Sequence, residues 1–319
     1  MDLDPDCAAV VRELPDVPVW SSLSVASARR LEAELFAGSG TPEMAAIREF
    51  AIEGPAGDDL PLRAYRPVGD PPGDDEPDTA ISNRPTVVFC HGGGWTLGTL
   101  DSADDVCRAL ADRTGALVLS VGYRLAPEHP FPAAVDDAYR ATRWAAANAG
   151  SLGGGGPLAV AGTSAGGGLA AATALRAGGP DGPDIAAQAL LYPMLDRPGA
   201  DPPESYAEHG DAPLLTAADV EWFWAQYCRS PVDAHNPFAA PLRADDDLLA
   251  DAPPAVVATA GVDPLRDEGR AYADRLADAP VERVHGSDLP HGFCSLTDRV
   301  SAADAAMDRV CEALASWLR

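Results

Sequence analysis

The sequence predicts an α/β fold: a mostly parallel sheet of eight strands flanked by helices, with a helical cap. Three observations carry this. Apolar, β-branched runs alternate with longer helical patterns, the signature of βαβ units. The later runs are almost purely apolar, as central strands covered on both faces are. The length, 319 residues with 46% apolar residues, suits one large domain and excludes wholesale disorder despite 30 Gly and 30 Pro.

Taken in order, residues 1–40 hold a helix-like pattern at 24–36 before any strand. The runs 46–53 (AIREFAIE) and 60–66 (LPLRAYR) alternate polar and apolar residues, as antiparallel edge strands with one wet face do. The remaining strands are expected at 86–90 (TVVFC), 116–121 (ALVLSV), 158–161 (LAVA), 185–191 (IAAQALL), 255–260 (AVVATA) and 280–285 (PVERVH). Helices are expected at 133–149, 165–177, 266–277 and 301–319; the last aligns Met307, Val310, Cys311, Leu314, Trp317 and Leu318 on one face. Composition marks linkers at 69–85, 150–157, 178–184 and 196–204.

A further helix, 216–228 (TAADVEWFWAQYC), interrupts the alternation and carries Trp222, Phe223, Trp224 and Tyr227. It and the N-terminal segment are both additions to the sheet, so they are expected to form a cap over its edge. The expected organisation is a cap segment at 1–40, core at 41–195, cap insertion at 196–250 and core at 251–319. Trp20, Trp222 and Trp224 are the bulky candidates to line or support a substrate pocket under that cap.

Charge narrows the function. Forty-nine acids against 23 bases leave a net charge of −26, and every base is Arg. Nucleic-acid binding needs cationic surface and is excluded, and an anionic membrane would repel the chain. A GC-rich genome that avoids Lys codons and adaptation to high salt both account for the missing Lys, and they are compatible. No apolar run reaches the ~18 residues of a membrane span. Residues 1–20 show no basic start and no apolar stretch, so no signal peptide is expected and the cytoplasm is the expected compartment. Cys7, Cys90, Cys107, Cys228, Cys294 and Cys311 are widely spaced, with no CxxC pair, so reduced thiols are expected and zinc is not supported.

Two Gly-rich motifs follow strands. Gly162-Thr163-Ser164-Ala165-Gly166 matches GxSxG between the strand LAVA and an Ala-rich helix, the setting of a nucleophile elbow. An ordinary Gly-rich βα turn would look similar. His91-Gly92-Gly93-Gly94, after TVVFC, is far rarer by composition; its glycines would turn backbone N–H groups toward a developing oxyanion. His91 precedes the serine at a strand end and reads as structural. A serine nucleophile needs a base and an acid, in the order Ser, Asp or Glu, His for this fold class. Of His209, His235, His285 and His291, the last lies in a loop before the final helix and is the best base. Asp263 follows AVVATAG at the end of a central strand and is the preferred acid, with Asp288 as runner-up.

The chain resembles the hormone-sensitive-lipase-like (family IV) esterases of the α/β-hydrolase fold. The resemblance runs from about residue 20 to the end through HGGGW at 91–95, YRLAPEHPFPAAVDDA at 123–138, GTSAGG at 162–167, DPLRDEG at 263–269 and HGF at 291–293. It implies Ser164 as nucleophile, His291 as base, Asp263 as its partner, and an oxyanion hole from the N–H groups of Gly93, Gly94 and Ala165. It also implies that 123–138 braces the HGGG loop, with Glu128 and Asp136 in internal hydrogen bonds. Gly122 and Gly168 stand where the family usually has Asp and often has Asn, and Thr163 replaces a commoner Asp. The expected activity is hydrolysis of small-molecule acyl esters of short to medium chain, without metal or organic cofactor, by a monomer or homodimer. An amide, formamide or lactone substrate, and a non-catalytic ligand receptor of the same fold, are the alternatives.

Overall fold

The computed structural model describes residues 3–13, 18–36, 38–69, 83–276 and 279–319. Alternating polar and apolar residues place β1 (Met44–Glu53) and β2 (Asp59–Pro67) at one edge of the sheet, paired antiparallel with Ile52 opposite Leu60. The apolar runs become β3 (Thr86–Cys90), β4 (Leu117–Val121), β5 (Leu158–Thr163), β6 (Ala187–Leu191) and β7 (Ala255–Val262), every residue of which is buried. The eighth strand, β8 (Val281–Pro290), closes the far edge in the order β1-β2-β4-β3-β5-β6-β7-β8. Among the described strands only β2 runs against the rest; every pair from β4 onward in that order is parallel.

Ten α-helices accompany the described strands: α1 (Pro5–Glu13), α2 (Val25–Leu35), α3 (Asp104–Thr114), α4 (Ala133–Asn148), α5 (Ala165–Ala177), α6 (Glu204–Glu208), α7 (Ala217–Tyr227), α8 (Asp246–Leu249), α9 (Arg266–Arg275) and α10 (Ser301–Trp317). Val106 and Leu110 of α3 pack with Met307 and Val310 of α10 on one face of the sheet. The other face carries α4, α5 and α9. Four helices go beyond the expected set: α1, α3 and the short α6 and α8. In α1, Pro5 takes the first helical position, where a missing N–H is harmless, and Asp4 Oδ1 accepts the N–H groups of Asp6 and Cys7 at 2.9 and 3.1 Å. The charged sequence of α3 hides its buried stripe of Val106, Cys107 and Leu110. Most of the expected linker 69–85, and the end of the expected helix 266–277, lie outside the described residues.

The two additions to the sheet meet. Trp20 Nε1 donates to the Leu214 carbonyl at 3.2 Å, and Ser21 N–H donates to Asp219 Oδ1 at 2.8 Å. Asp219 is buried and shares a capping box with Thr216 at the start of α7. Among the described residues, no helix is long and apolar enough to cross a membrane.

Candidate active site

Ser164 sits in the turn between β5 and α5 with φ +54° and ψ −123°, a strained backbone for a residue with a side chain. Both flanking glycines are sterically required. A Cβ on Gly162 would lie 2.1 Å from the Gly166 carbonyl oxygen, and one on Gly166 would lie 2.0 Å from that of Cys90. The turn is pinned by Ser164 N–H donating to the Leu191 carbonyl at 2.8 Å and Met194 N–H donating to the Ser164 carbonyl at 3.0 Å. The hydroxyl is thereby raised at the start of α5, whose first N–H groups, Ala165 among them, have no acceptor within the helix.

Asp263 follows β7 directly and His291 follows β8 directly, so three parallel strands deliver three side chains to one end of the sheet. His291 Nε2 lies 3.0 Å from Ser164 Oγ, and its Nδ1 lies 2.8 Å from Asp263 Oδ2. Asp263 is fully buried, and its Oδ1 accepts the Leu265 N–H at 2.9 Å. Asp288 stays within β8, and His285 bonds Thr259 and Arg270 instead. Tyr192, at φ +39°, packs edge-on against His291 with ring centroids 4.8 Å apart.

The loop after β3 turns its donors outward by fixing the opposite ends of their peptides. Each trans peptide holds its C=O and N–H on opposite sides. His91 Nδ1–H donates to the Gly92 carbonyl at 2.7 Å, which directs Gly93 N–H the other way. The Gly93 carbonyl accepts from Thr96 and Leu97 at 3.0 and 2.7 Å, which directs Gly94 N–H likewise. Among the described residues neither glycine N–H is used in a hydrogen bond. His91 is buried and stacks on Tyr123 at 4.2 Å, and burial pushes its pKa down to about 4, so it is a neutral strut.

Ser164, His291, Gly93 and Gly94 open onto one cavity of about 1150 Å³. Its walls come from the N-terminal segment (Val10, Trp20, Leu35), the insertion (Leu214, Leu215, Phe223) and the loop after His291. Among the described residues, no cluster of three or more His, Cys, Asp or Glu is placed to hold a metal ion.

The family signature for the alpha/beta hydrolase fold matches residues 87–295. The chain is 44% identical over 273 residues to esterase LipI of Mycobacterium tuberculosis, covering 84% of this chain and 81% of that one. The chain belongs to the α/β hydrolases, in their hormone-sensitive-lipase-like branch. An ethyl acetate hydrolase of Pseudomonas putida is 35% identical over 334 residues that span all of both chains. Among solved structures, a thermostable esterase from Pseudomonas putida superposes with a TM-score of 0.89 at 31% identity, covering 100% of this chain and 98% of that one.

Within this α/β hydrolase, the aromatic residues expected in the pocket divide. Trp20 lines the cavity, but Trp222 and Trp224 do not. Trp224 points into the protein, edge-on to Trp95 at 4.8 Å, and Trp222 leans on Phe223 at 5.1 Å. Phe223 between them lines the cavity instead. The brace at 123–138 holds as a unit, with Tyr123 O–H donating to the His91 carbonyl at 2.8 Å, but its carboxylates differ from expectation. Asp136 forms a half-exposed pair with Arg176, whereas Asp137 is buried and bonds the backbone and guanidinium of Arg124. Glu128 is exposed and paired with Arg29, which lowers its pKa to about 2. Gly168 is where a Cβ would meet the Met194 carbonyl oxygen at 2.3 Å, so no larger residue fits this backbone.

Proposed function

We propose that this α/β hydrolase is a serine carboxylesterase acting on acyl esters of short to medium chain. The observation that carries the reading is the Asp263–His291–Ser164 relay, bonded at 2.8 and 3.0 Å, which meets the shared cavity through Ser164 and His291. Unprotonated His291, oriented through Nδ1–H by Asp263, takes the Ser164 proton as Oγ attacks the ester carbonyl. The charge that develops on the carbonyl oxygen is met by the N–H groups of Gly93, Gly94 and Ala165, each worth ~3 kcal/mol of barrier. The imidazolium hands its proton to the departing alcohol and leaves an acyl-enzyme. Water, deprotonated by the same imidazole, then releases the acid and restores Ser164.

Similarity to an ethyl acetate hydrolase along the whole chain supports short acyl groups, and the cavity volume leaves room for medium ones. The receptor alternative is not favoured, since both ring nitrogens of His291 are engaged as a base requires. No feature of the cavity favours an amide or a lactone. The reading extends to a reducing, salt-rich cytoplasm, supported by six unpaired cysteines and the charge of −26. A panel of p-nitrophenyl esters from acetate to palmitate, with Ser164→Ala as control, tests the activity. Turnover should peak at short to medium chains and vanish in the variant; undiminished turnover in Ser164→Ala would overturn the reading.

A further inference from the structure

Arg29 reaches out of the cap helix α2 to the loop that carries the glycine N–H groups. Its Nε–H donates to the Thr96 carbonyl and one Nη2–H to the Ala126 carbonyl, both at 2.9 Å. Its two terminal nitrogens also bond Glu128 at 2.9 and 2.7 Å. Ala126 N–H in turn donates to the Trp95 carbonyl at 2.9 Å. One planar fork therefore joins the N-terminal segment, the turn after the three glycines and the brace, a task no single ammonium can perform.

Thr96 is the residue through which that turn closes. It is fully buried; its N–H donates to the Gly93 carbonyl at 3.0 Å and its hydroxyl to the Gly94 carbonyl at 3.1 Å. These bonds fix the two peptides whose far sides carry the N–H groups of Gly94 and Trp95. Leu97 N–H donates to the same Gly93 carbonyl at 2.7 Å, so Thr96 and its neighbour together set the orientation of the Gly93–Gly94 peptide.

We infer that Arg29 is a positioning residue for ester hydrolysis: from the cap it holds Thr96, and through Thr96 it holds the Gly94 N–H on the developing oxyanion. The inference rests on the esterase reading above. It gives the N-terminal segment a second task besides covering the acyl group, because the segment completes the support of the catalytic loop.

The test compares wild type, Arg29→Ala, Arg29→Lys and Glu128→Gln on p-nitrophenyl acetate and hexanoate, with phenylboronic acid as a tetrahedral mimic. A small misplacement of catalytic groups costs up to about 100-fold, so kcat in Arg29→Ala should fall by roughly 10- to 100-fold. The factor should be equal for both esters, with KM little changed, and phenylboronic acid should weaken in parallel with kcat/KM. Arg29→Lys keeps the charge but not the fork and should stay impaired. Glu128→Gln keeps both carbonyl bonds and should be milder than Arg29→Ala.

Full activity in Arg29→Ala or Arg29→Lys would overturn the inference. So would a loss confined to KM or to the hexanoate, which marks a pocket wall, or a Glu128→Gln as damaging as Arg29→Ala. A wild type that turns over no ester overturns the esterase reading itself. An active wild type matched by its Arg29 variants leaves that reading standing and removes only the inference.

Discussion

The ring of Phe223 lies directly over Gly94: a Cβ on Gly94 would sit 2.0 Å from a ring carbon. Helix α7 thus touches the glycine-rich loop after β3 at a residue held at φ +59°. Gly94→Ala should displace the loop or the ring and lower kcat for p-nitrophenyl acetate by about 100- to 1000-fold, the loss seen when an oxyanion donor is removed. Adding Phe223→Ala vacates the space and should recover part of that loss. Steady-state kinetics of both variants decide it; no recovery would contradict the ring as the obstacle.

The triad should behave as a unit. Ser164→Ala and His291→Ala are each expected to lower turnover by several orders of magnitude while circular dichroism shows an intact fold. Asp263→Asn should be severe as well, because it leaves the imidazole wrongly oriented. His285→Ala should remain active, and an inactive His285→Ala beside an active His291→Ala would reverse the assignment of the base.

Two buried groups give stability opposite pH slopes. Burial holds His91 at about 4, so the unfolded chain gains a proton near 6.5 while the folded chain does not. Its contribution is present above 6.5 and is lost as pH falls toward 4, by about 3 kcal/mol in full. Burial raises Glu268 to about 8, against the hydroxyl of Tyr206 and the N–H groups of Leu195 and Asp196. Its contribution is present below the unfolded value of 4.5 and is lost as pH rises through about 8. Urea melts across this range should show His91→Asn flatter than wild type on the acid side, and Glu268→Gln flatter on the neutral side. Unchanged slopes in both would contradict the assignment.

Removing residues 1–35 takes away Val10, Trp20 and Leu35 from the cavity wall together with Arg29. Activity on six-carbon esters should drop more than on acetate esters, since binding area is lost. Acetate turnover should also fall, because the Thr96 carbonyl loses its donor. The ratio of kcat/KM for hexanoate to acetate reads the first effect; an unchanged ratio would contradict a cap that covers the acyl chain.

How much of this was legible in the sequence depends on the range of the contact. Ser164, Asp263, His291 and the three glycines are fixed by chain-local rules: a small-residue turn, a strand end, an order along the chain. Asp137 had a readable signal, for it shares the buried helical stripe of Ala134, Ala138, Ala141 and Ala145, whereas Asp136 is one position out of phase. Phe223 was not separable from Trp222 and Trp224, because neighbouring aromatic residues on one helix differ only in direction. Arg29 had no local signal at all, as its partners lie 67 to 99 positions away. Helix α1 starts on a proline, a residue that ends most helices, because Pro5 occupies the first position, where a missing N–H is tolerated.

The charge of −26 predicts a salt response. Like charges at this density oppose the compact state, and the Debye length shrinks from about 10 Å at 0.1 M to about 3 Å at 1 M. The melting temperature and the activity should therefore rise between about 0.1 M and about 2 M KCl. A flat or falling melting temperature would remove the high-salt setting and leave the esterase reading intact.

Ester hydrolysis by this site requires a covalent acyl-enzyme on Ser164. Rapid acid quenching of the protein during turnover of p-nitrophenyl acetate, followed by peptide mass mapping, tests it directly. An acetyl group is expected on the peptide containing Ser164 and is absent from Ser164→Ala. Sustained hydrolysis with Ser164 unmodified, or an acetyl group on another residue that persists in Ser164→Ala, would contradict it.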